Sequence, residues 1–166
     1  MDLAGWLLSF SSWAQVTVGD YGYFGVFLVT LVGNLSVFLP LPGWAIVFAA
    51  GAVLNPWLVG FAGGVGSALG ELSSYAIGRG GGAVLQKRKD LQKVEAWVKR
   101  RGFFPVIIFV AATPLPFDDL IAILAGIVRY DLRKFILANI IGKFILATII
   151  AFAGLYAMEW VLGVFA

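Results

Sequence analysis

The 166-residue sequence contains no cysteine and no histidine. Disulfides, thiol catalysis, Cys/His zinc sites and imidazole acid–base chemistry are thereby excluded together. Charge is scarce as well: 13% of the residues are Asp, Glu, Lys or Arg, where an average globular chain has about 25%. Apolar residues make up 61% before the 21 glycines are counted, and the mean hydropathy is +0.95. Such a chain is not wetted on all sides, and the bilayer is its solvent. From Tyr21 to Gly70 fifty consecutive residues carry no charge, more than twice the roughly 20 needed for one spanning helix. That block must pass through or into the membrane more than once. Any remaining chemistry belongs to Asp, Glu, Lys, Arg, Tyr and hydroxyls, and neither a metal, a cofactor nor enzymatic activity is expected. The acid at Asp2 stands where a secretory signal would carry basic residues, so no cleaved leader is expected.

The few charges are unevenly placed. Of the twelve basic residues, eight lie between Arg79 and Arg101, and Arg129, Arg133 and Lys134 form a second group. Asp2, Asp20 and Glu159 flank the other ends of the apolar segments. The positive-inside rule therefore puts both basic groups in the cytoplasm and both termini on the outer side. Between the charges of residues 83–101, Leu91, Val94 and Val98 recur at helical spacing with Trp97 beside them. This pattern predicts a cytoplasmic amphipathic helix that meets anionic headgroups, and not a nucleic-acid site.

The same plan occurs twice along the chain. Residues 1–20 predict a peripheral N-terminal helix. Residues 22–54 form an apolar hairpin broken by Pro40 and Pro42, and 56–79 a transmembrane helix. Residues 103–128 form a second hairpin broken by Pro114 and Pro116, and 135–158 a second transmembrane helix. Proline donates no N–H and pushes its predecessor out of the helical region, so each apolar segment splits into two limbs. Pro40 and Pro42 match Pro114 and Pro116 at an offset of 74, Gly51 matches Gly126 at 75, and Gly66 and Gly78 match Gly142 and Gly154 at 76. If both limbs return to their own side, the two halves enter from opposite faces. The expected fold is then an all-α, polytopic membrane protein, one domain over 1–166, built as an inverted repeat of a re-entrant hairpin plus a spanning helix. Thin full spans remain the alternative. Broken segments at matching positions point to a site near the bilayer midplane.

Four ionisable residues fall within apolar segments: Glu71, Asp118, Asp119 and Lys143. At a cost of roughly 2.5–3.5 kcal/mol for Asp or Lys at mid-bilayer, each needs an interior or a partner. Glu71 and Lys143 sit at matching depths with opposite sign, which fits either an ion pair between the long helices or a functional pair. Asp118 and Asp119 follow the second break, where acids favour a helix start. Two neighbouring carboxylates that cannot both ionise freely could instead carry a proton or bind a cation. Gly43 follows the first break with no acid nearby, so its half-helix would offer free N–H groups to phosphate or carboxylate. Asn34 adds a polar group on the approach, as a pathway residue or as a partner in an interhelical hydrogen bond. Ser67, Glu71, Tyr75 and Arg79 form an i, i+4 series beside the small-residue strip Gly66, Gly70, Ser74 and Gly78, and Asn139 and Lys143 repeat that spacing.

The run Gly66-x-x-x-Gly70-Glu71-x-x-x-Tyr75-x-x-Gly78-Arg79, followed by a basic segment, resembles the G-x-x-x-G-[DE]-x-x-x-Y-x-x-G-R signature of the DedA family, which carries the VTT or SNARE-associated Golgi protein domain. Leu124-Ala125-Gly126, Phe135, Asn139 and Gly142 resemble its second hairpin and closing helix. The resemblance covers residues 22 to 158. It implies two facing re-entrant hairpins and activity as a lipid transporter or scramblase. Bacterial members are associated with recycling polyprenyl-phosphate carriers and with proton-motive-force-dependent homeostasis, and eukaryotic relatives with phospholipid scrambling. The bacterial pattern has acids beside the first break, where this chain has Gly33 and Trp44. It has arginines flanking the second break, where this chain has Ala111 and Phe117, followed by Asp118 and Asp119. Charge has moved to the second hairpin without its basic partners.

The expected function is movement of an anionic or phosphate-bearing lipid between leaflets of the plasma membrane, coupled to protons or another ion through Glu71, Asp118 and Asp119. Gly43, Lys143, Asn34, Ser67, Tyr75, Arg79 and Asn139 would bind substrate or line its path. A structural or assembly factor and, more weakly, a lipid-phosphate enzyme are the alternatives. Membrane lipids are the expected partners, and a homodimer is allowed.

Overall fold

The computed structural model describes residues 3–35, 43–85, 102–112 and 118–165. The described residues form seven helices and no strand: α1 (Leu3–Leu35), α2 (Gly43–Val53), α3 (Pro56–Gly70), α4 (Leu72–Leu85), α5 (Phe104–Ala111), α6 (Asp118–Ile127) and α7 (Leu132–Phe165). The four prolines of the two breaks and residues 86–101 of the basic helix lie outside the described residues.

Local chemistry accounts for the helix starts. Asn55 caps α3 by accepting from the N–H groups of Trp57 at 3.0 Å and Leu58 at 3.4 Å, with Pro56 in the first turn. Asp118 and Asp119 occupy the first turn of α6, and Asp118 Oδ1 accepts from the Asp119 N–H at 3.0 Å. Asp131 Oδ1 accepts from the Lys134 N–H at 2.9 Å where α7 begins. The end of α6 is unusual. The Arg129 N–H bonds to the Gly126 carbonyl and the Tyr130 N–H to the Ala125 carbonyl, a Schellman closure whose left-handed position, φ 52°, is filled by arginine instead of glycine.

The helices expected over 1–20 and from 22 onward meet within α1 at Gly22, where φ 55° and ψ −124° suit only a residue without Cβ. The elbow folds the chain back so closely that a Cβ on Gly25 would overlap the backbone of Thr17 and Val18. The unbroken helix expected over 56–79 is two helices, with Glu71 between them at φ −70° and ψ −8°. Glu71 still donates its N–H to the Ser67 carbonyl and accepts from the Tyr75 N–H, so the helical hydrogen-bond ladder runs on through it. The last helix also runs beyond 135–158, from Leu132 to Phe165. Its 34 residues would reach about 50 Å at 1.5 Å each. Val16–Leu35 and Leu132–Val164 are long and apolar enough to cross a membrane by length and composition.

Glycine sets the packing. α3 lies between α1 and α7 and presents glycines to both. A Cβ on Gly66 or Gly70 would enter the α1 backbone at Phe27 or Leu31, and one on Gly64 would come within 2.7 Å of Phe144 Cα on α7. α2 packs on α7, where Gly51 abuts Ala151 and Gly154 abuts the Phe48 carbonyl. α6 packs on α4 in the same manner, with Gly126 against Tyr75 and Gly78 against the Ile123 carbonyl. Besides the pair Val29 and Ile46, the buried apolar residues gather in two larger groups. One holds Val26, Val47, Ala50, Val59, Ala147 and Ala151. The other holds Tyr75, Phe103, Ile107, Ala122, Ala125, Phe135 and Ala138. On α7, Lys143 falls between Ala138 of one group and Ala147 of the other.

A candidate functional site around a buried lysine

Lys143 is fully buried, and two carboxylates hold its ammonium group. It donates to Asp118 Oδ2 on α6, and Glu71 Oε1 lies 3.7 Å away at the α3–α4 turn. Its Nζ also sits 5.5 Å from the centre of the Trp44 ring on α2, within cation–π range. The first turns of α2 and α6 thus each send a side chain to Lys143, Trp44 from one and Asp118 from the other. The basic partner that the second hairpin lacks in sequence is supplied by α7, which corrects the expectation that these acids stand without one.

The remaining polar groups are neutral donors. The Asn139 amide donates to Glu71 Oε2 from one helical turn before Lys143, and the Ser74 hydroxyl donates to Asp119 Oδ1 at 2.6 Å. Two carboxylates therefore meet the ammonium, and a third carboxyl group, that of Asp119, stands beside Asp118 on the Ser74 hydroxyl. Glu71 Oε1 is buried and accepts no hydrogen bond among the described residues, leaving it only the 3.7 Å ion pair. A buried acceptor in that state is a place for a proton, a water or a small cation. A small cavity lined by Glu71, Asp118, Asn139, Ile107, Ala111 and Phe135 opens beside it between α5, α6 and α7. No group of three or more acids among the described residues has the arrangement of a metal site.

The other predicted residues fall into two separate places. Asn34 on α1 donates to the Thr30 carbonyl at 2.8 Å and to Ser67 Oγ at 3.2 Å, an interhelical link between α1 and α3. Tyr75 stacks at a tilt on Phe135 with 5.0 Å between ring centres, and its hydroxyl donates to the Tyr130 carbonyl at 2.6 Å. Arg79 donates to that hydroxyl at 3.1 Å and is exposed. The i, i+4 series is thus divided: Ser67 points to α1, Glu71 to α7, and Tyr75 with Arg79 to the turn after α6. Gly43 is buried at the start of α2, with open space where a Cβ would stand. Pro40, Pro42, Pro114 and Pro116 lie outside the described residues.

Sequence reasoning missed Ser74 and Trp44 as members of the cluster. Ser74 reads as one more small residue on the glycine strip, although its position three residues after Glu71 places it on a neighbouring part of the same face. Nothing local to Trp44 indicates a lysine 99 positions later.

The VTT domain family profile matches residues 41–156. Similar proteins include the uncharacterized membrane protein YbfM of Bacillus subtilis (strain 168), 31% identical over 147 residues that cover 79% of this chain and 87% of the relative. An alkaline phosphatase-like protein of Lactococcus lactis subsp. lactis (strain IL1403) is 31% identical over 147 residues, covering 77% of this chain and 67% of that one. The uncharacterized membrane protein YhjE of Bacillus subtilis (strain 168) is 28% identical over 141 residues, with coverages of 81% and 68%. No solved structure matches the chain.

Proposed function

Because this chain belongs to the VTT-domain (DedA) family and is a membrane protein, we propose that it moves an anionic or phosphate-bearing lipid between the leaflets of the plasma membrane, coupled to a proton or another small cation. The observation that carries the reading is the meeting at Lys143 of the Glu71 and Asp118 carboxylates with the Trp44 ring, the last two from the first turns of α6 and α2. Glu71, Asp118 and Asp119 exchange the proton or cation, and Lys143 is released when one of them is neutralised. The headgroup then reaches Lys143 and the Gly43 helix start as the Trp44 ring moves off. Asn34, Ser67 and Asn139 lie along or support this route.

The architecture that suits this activity is a multi-pass inverted repeat with re-entrant hairpins, the basic groups cytoplasmic and both termini outside. The exchange of glycine contacts supports it. Phe48 and Gly51 on α2 meet α7, while Ile123 and Gly126, each 75 residues later, meet α4. Each return limb lies on the long helix of the other half.

Liposomes with fluorescent anionic lipids and an imposed pH gradient test the proposal. Asp118→Asn/Asp119→Asn is expected to abolish gradient-dependent transport while leaving the protein folded, and full retention would remove the coupling role.

Buried Glu71 and Lys143 and half-buried Asp118 and Asp119 each have a polar partner, which also favours a structural or assembly factor. Two carboxylates on one ammonium with a third carboxyl group beside them, and one buried oxygen lacking a hydrogen bond, favour transport over that reading. The name of the Lactococcus relative favours a lipid-phosphate enzyme as a third reading. Release of inorganic phosphate from a lipid phosphate by purified protein would establish it.

A further inference from the structure

The Tyr75–Arg79 branch of the polar series takes no part in the Lys143 cluster. Tyr75 is buried, and its hydroxyl is a hinge point: it donates to the Tyr130 carbonyl and accepts from Arg79 Nη1. Arginine has five N–H donors, and this bond uses one. The neighbour of Tyr130 is Arg129, the exposed arginine in the left-handed position of the α6 closure. Bulky residues at positive φ are uncommon, and a strained residue that persists is a reason to look for what its side chain does. Here the turn is held from both sides. The Tyr130 carbonyl is bound by Tyr75, and the Tyr130 ring packs edge-on against Phe103 with 5.7 Å between ring centres.

The two arginines belong to one place. A Cβ on Gly126 would lie 2.7 Å from the Arg79 amide nitrogen, while the Gly126 carbonyl accepts from the Arg129 N–H. Arg133 and Lys134 are exposed one turn into α7. No salt bridge among the described residues neutralises any of the four cations. Asp131, the acid in this stretch, gives one carboxylate oxygen to the start of α7.

We propose that Arg79 and Arg129, the first braced by the Tyr75 hydroxyl and the second by the closure of α6, bind a phosphate group, carried by a lipid headgroup or as the free anion. The site is distinct from the transport cluster. Two guanidinium groups on rigid backbone suit the planar, paired donation that phosphate oxygens accept. Glycine is the usual residue at that position of a helix closure, so the turn itself gives no reason for an arginine there.

The test is binding by native mass spectrometry of detergent-solubilised full chain, titrated with phosphatidic acid, with diacylglycerol of the same chains, and with inorganic phosphate as competitor. Wild type is expected to retain phosphatidic acid over diacylglycerol, and Arg129→Gly and Arg79→Gln are each expected to weaken it about tenfold. Arg79→Lys should recover part of the loss. Displacement by millimolar phosphate identifies the free anion as the ligand, and its failure identifies the lipid headgroup. Arg129→Gly is also expected to raise the melting temperature, because it relieves the left-handed backbone. Unchanged phosphatidic acid binding in both variants would overturn the proposal, as would an equal loss of diacylglycerol or a fall in the melting temperature of Arg129→Gly. Because binding is read without transport, failure of lipid movement leaves this site standing, and failure here leaves the transport reading standing.

Discussion

Replacing Lys143 by methionine keeps the length and apolar stem of the side chain and deletes its ammonium. Asp118 then loses its hydrogen-bonding partner, and Glu71 Oε1, which already accepts no hydrogen bond, loses the cation 3.7 Å away. Removing one side of a buried pair costs about 3–5 kcal/mol, since the remaining charge is left uncompensated. Lys143→Met is therefore expected to destabilise the protein by about that amount. The loss should not be additive with its partners. Adding Asp118→Asn removes the stranded charge, and the pair is expected to couple by about 1–3 kcal/mol in the stabilising direction. Glu71→Gln added to Lys143→Met should give a smaller return, because the contact is longer and Asn139 still serves the other oxygen. The measurement is a double-mutant cycle on unfolding of the protein in detergent micelles, followed by loss of the monodisperse peak after heating and by denaturant titration. If Lys143→Met unfolds with the wild type, or if the cycle shows no coupling between positions 143 and 118, Lys143 is not the electrostatic centre of the fold. The transport reading would then lose the observation it stands on.

Other substitutions probe the packing and the satellite polar contacts. Gly154→Leu places side-chain atoms on the Phe48 carbonyl of α2, where backbone must move, and should cost about 1–3 kcal/mol, read by the same unfolding assay. Gly81→Ala, where a Cβ meets nothing within 4 Å in a helix, is expected to be stabilising by about 0.5–1 kcal/mol. Tyr75→Phe deletes the hydroxyl between Arg79 and the Tyr130 carbonyl and should cost about 1 kcal/mol, with increased hydrogen exchange at residues 128–131. Ser74→Ala removes the hydrogen bond to Asp119 and is expected to shift the pH midpoint of gradient-driven transport without unfolding the protein. An unchanged midpoint would detach Ser74 from the coupling group.

Much of the architecture could be read from the chain because it depends on short-range chemistry. Long uncharged runs admit only helices in a bilayer, and proline and glycine mark where those helices stop. The start of α6 at Asp118 and that of α2 at Gly43 follow from such local signals. The interruption at Glu71 did not. Residues 56–79 carry no proline after Pro56 and read as one helix, whereas α3 ends before Glu71, the residue whose side chain reaches Asn139 and Lys143. At Gly22 the boundary between 1–20 and the apolar run from 22 was legible, but the sharpness of the fold that brings Gly25 against Thr17 was not.

By itself, the sequence determined which residues had to find partners. Glu71, Asp118, Asp119 and Lys143 are too costly to leave alone among apolar neighbours, so their burial in company was foreseeable from composition. Which partner each would take was decided by the tertiary structure. Asp118 and Lys143 are 25 positions apart, Glu71 and Asn139 68, and Ser74 and Asp119 45. No local rule spans such separations. The pairing depends on how closely α2, α4, α6 and α7 can approach, and glycine contacts such as those of Gly51, Gly78, Gly126 and Gly154 bring their backbones together until only one set of polar groups can meet. The split of the Ser67, Glu71, Tyr75 and Arg79 series has the same origin. One helix face supplied the spacing, and three different neighbours received its side chains.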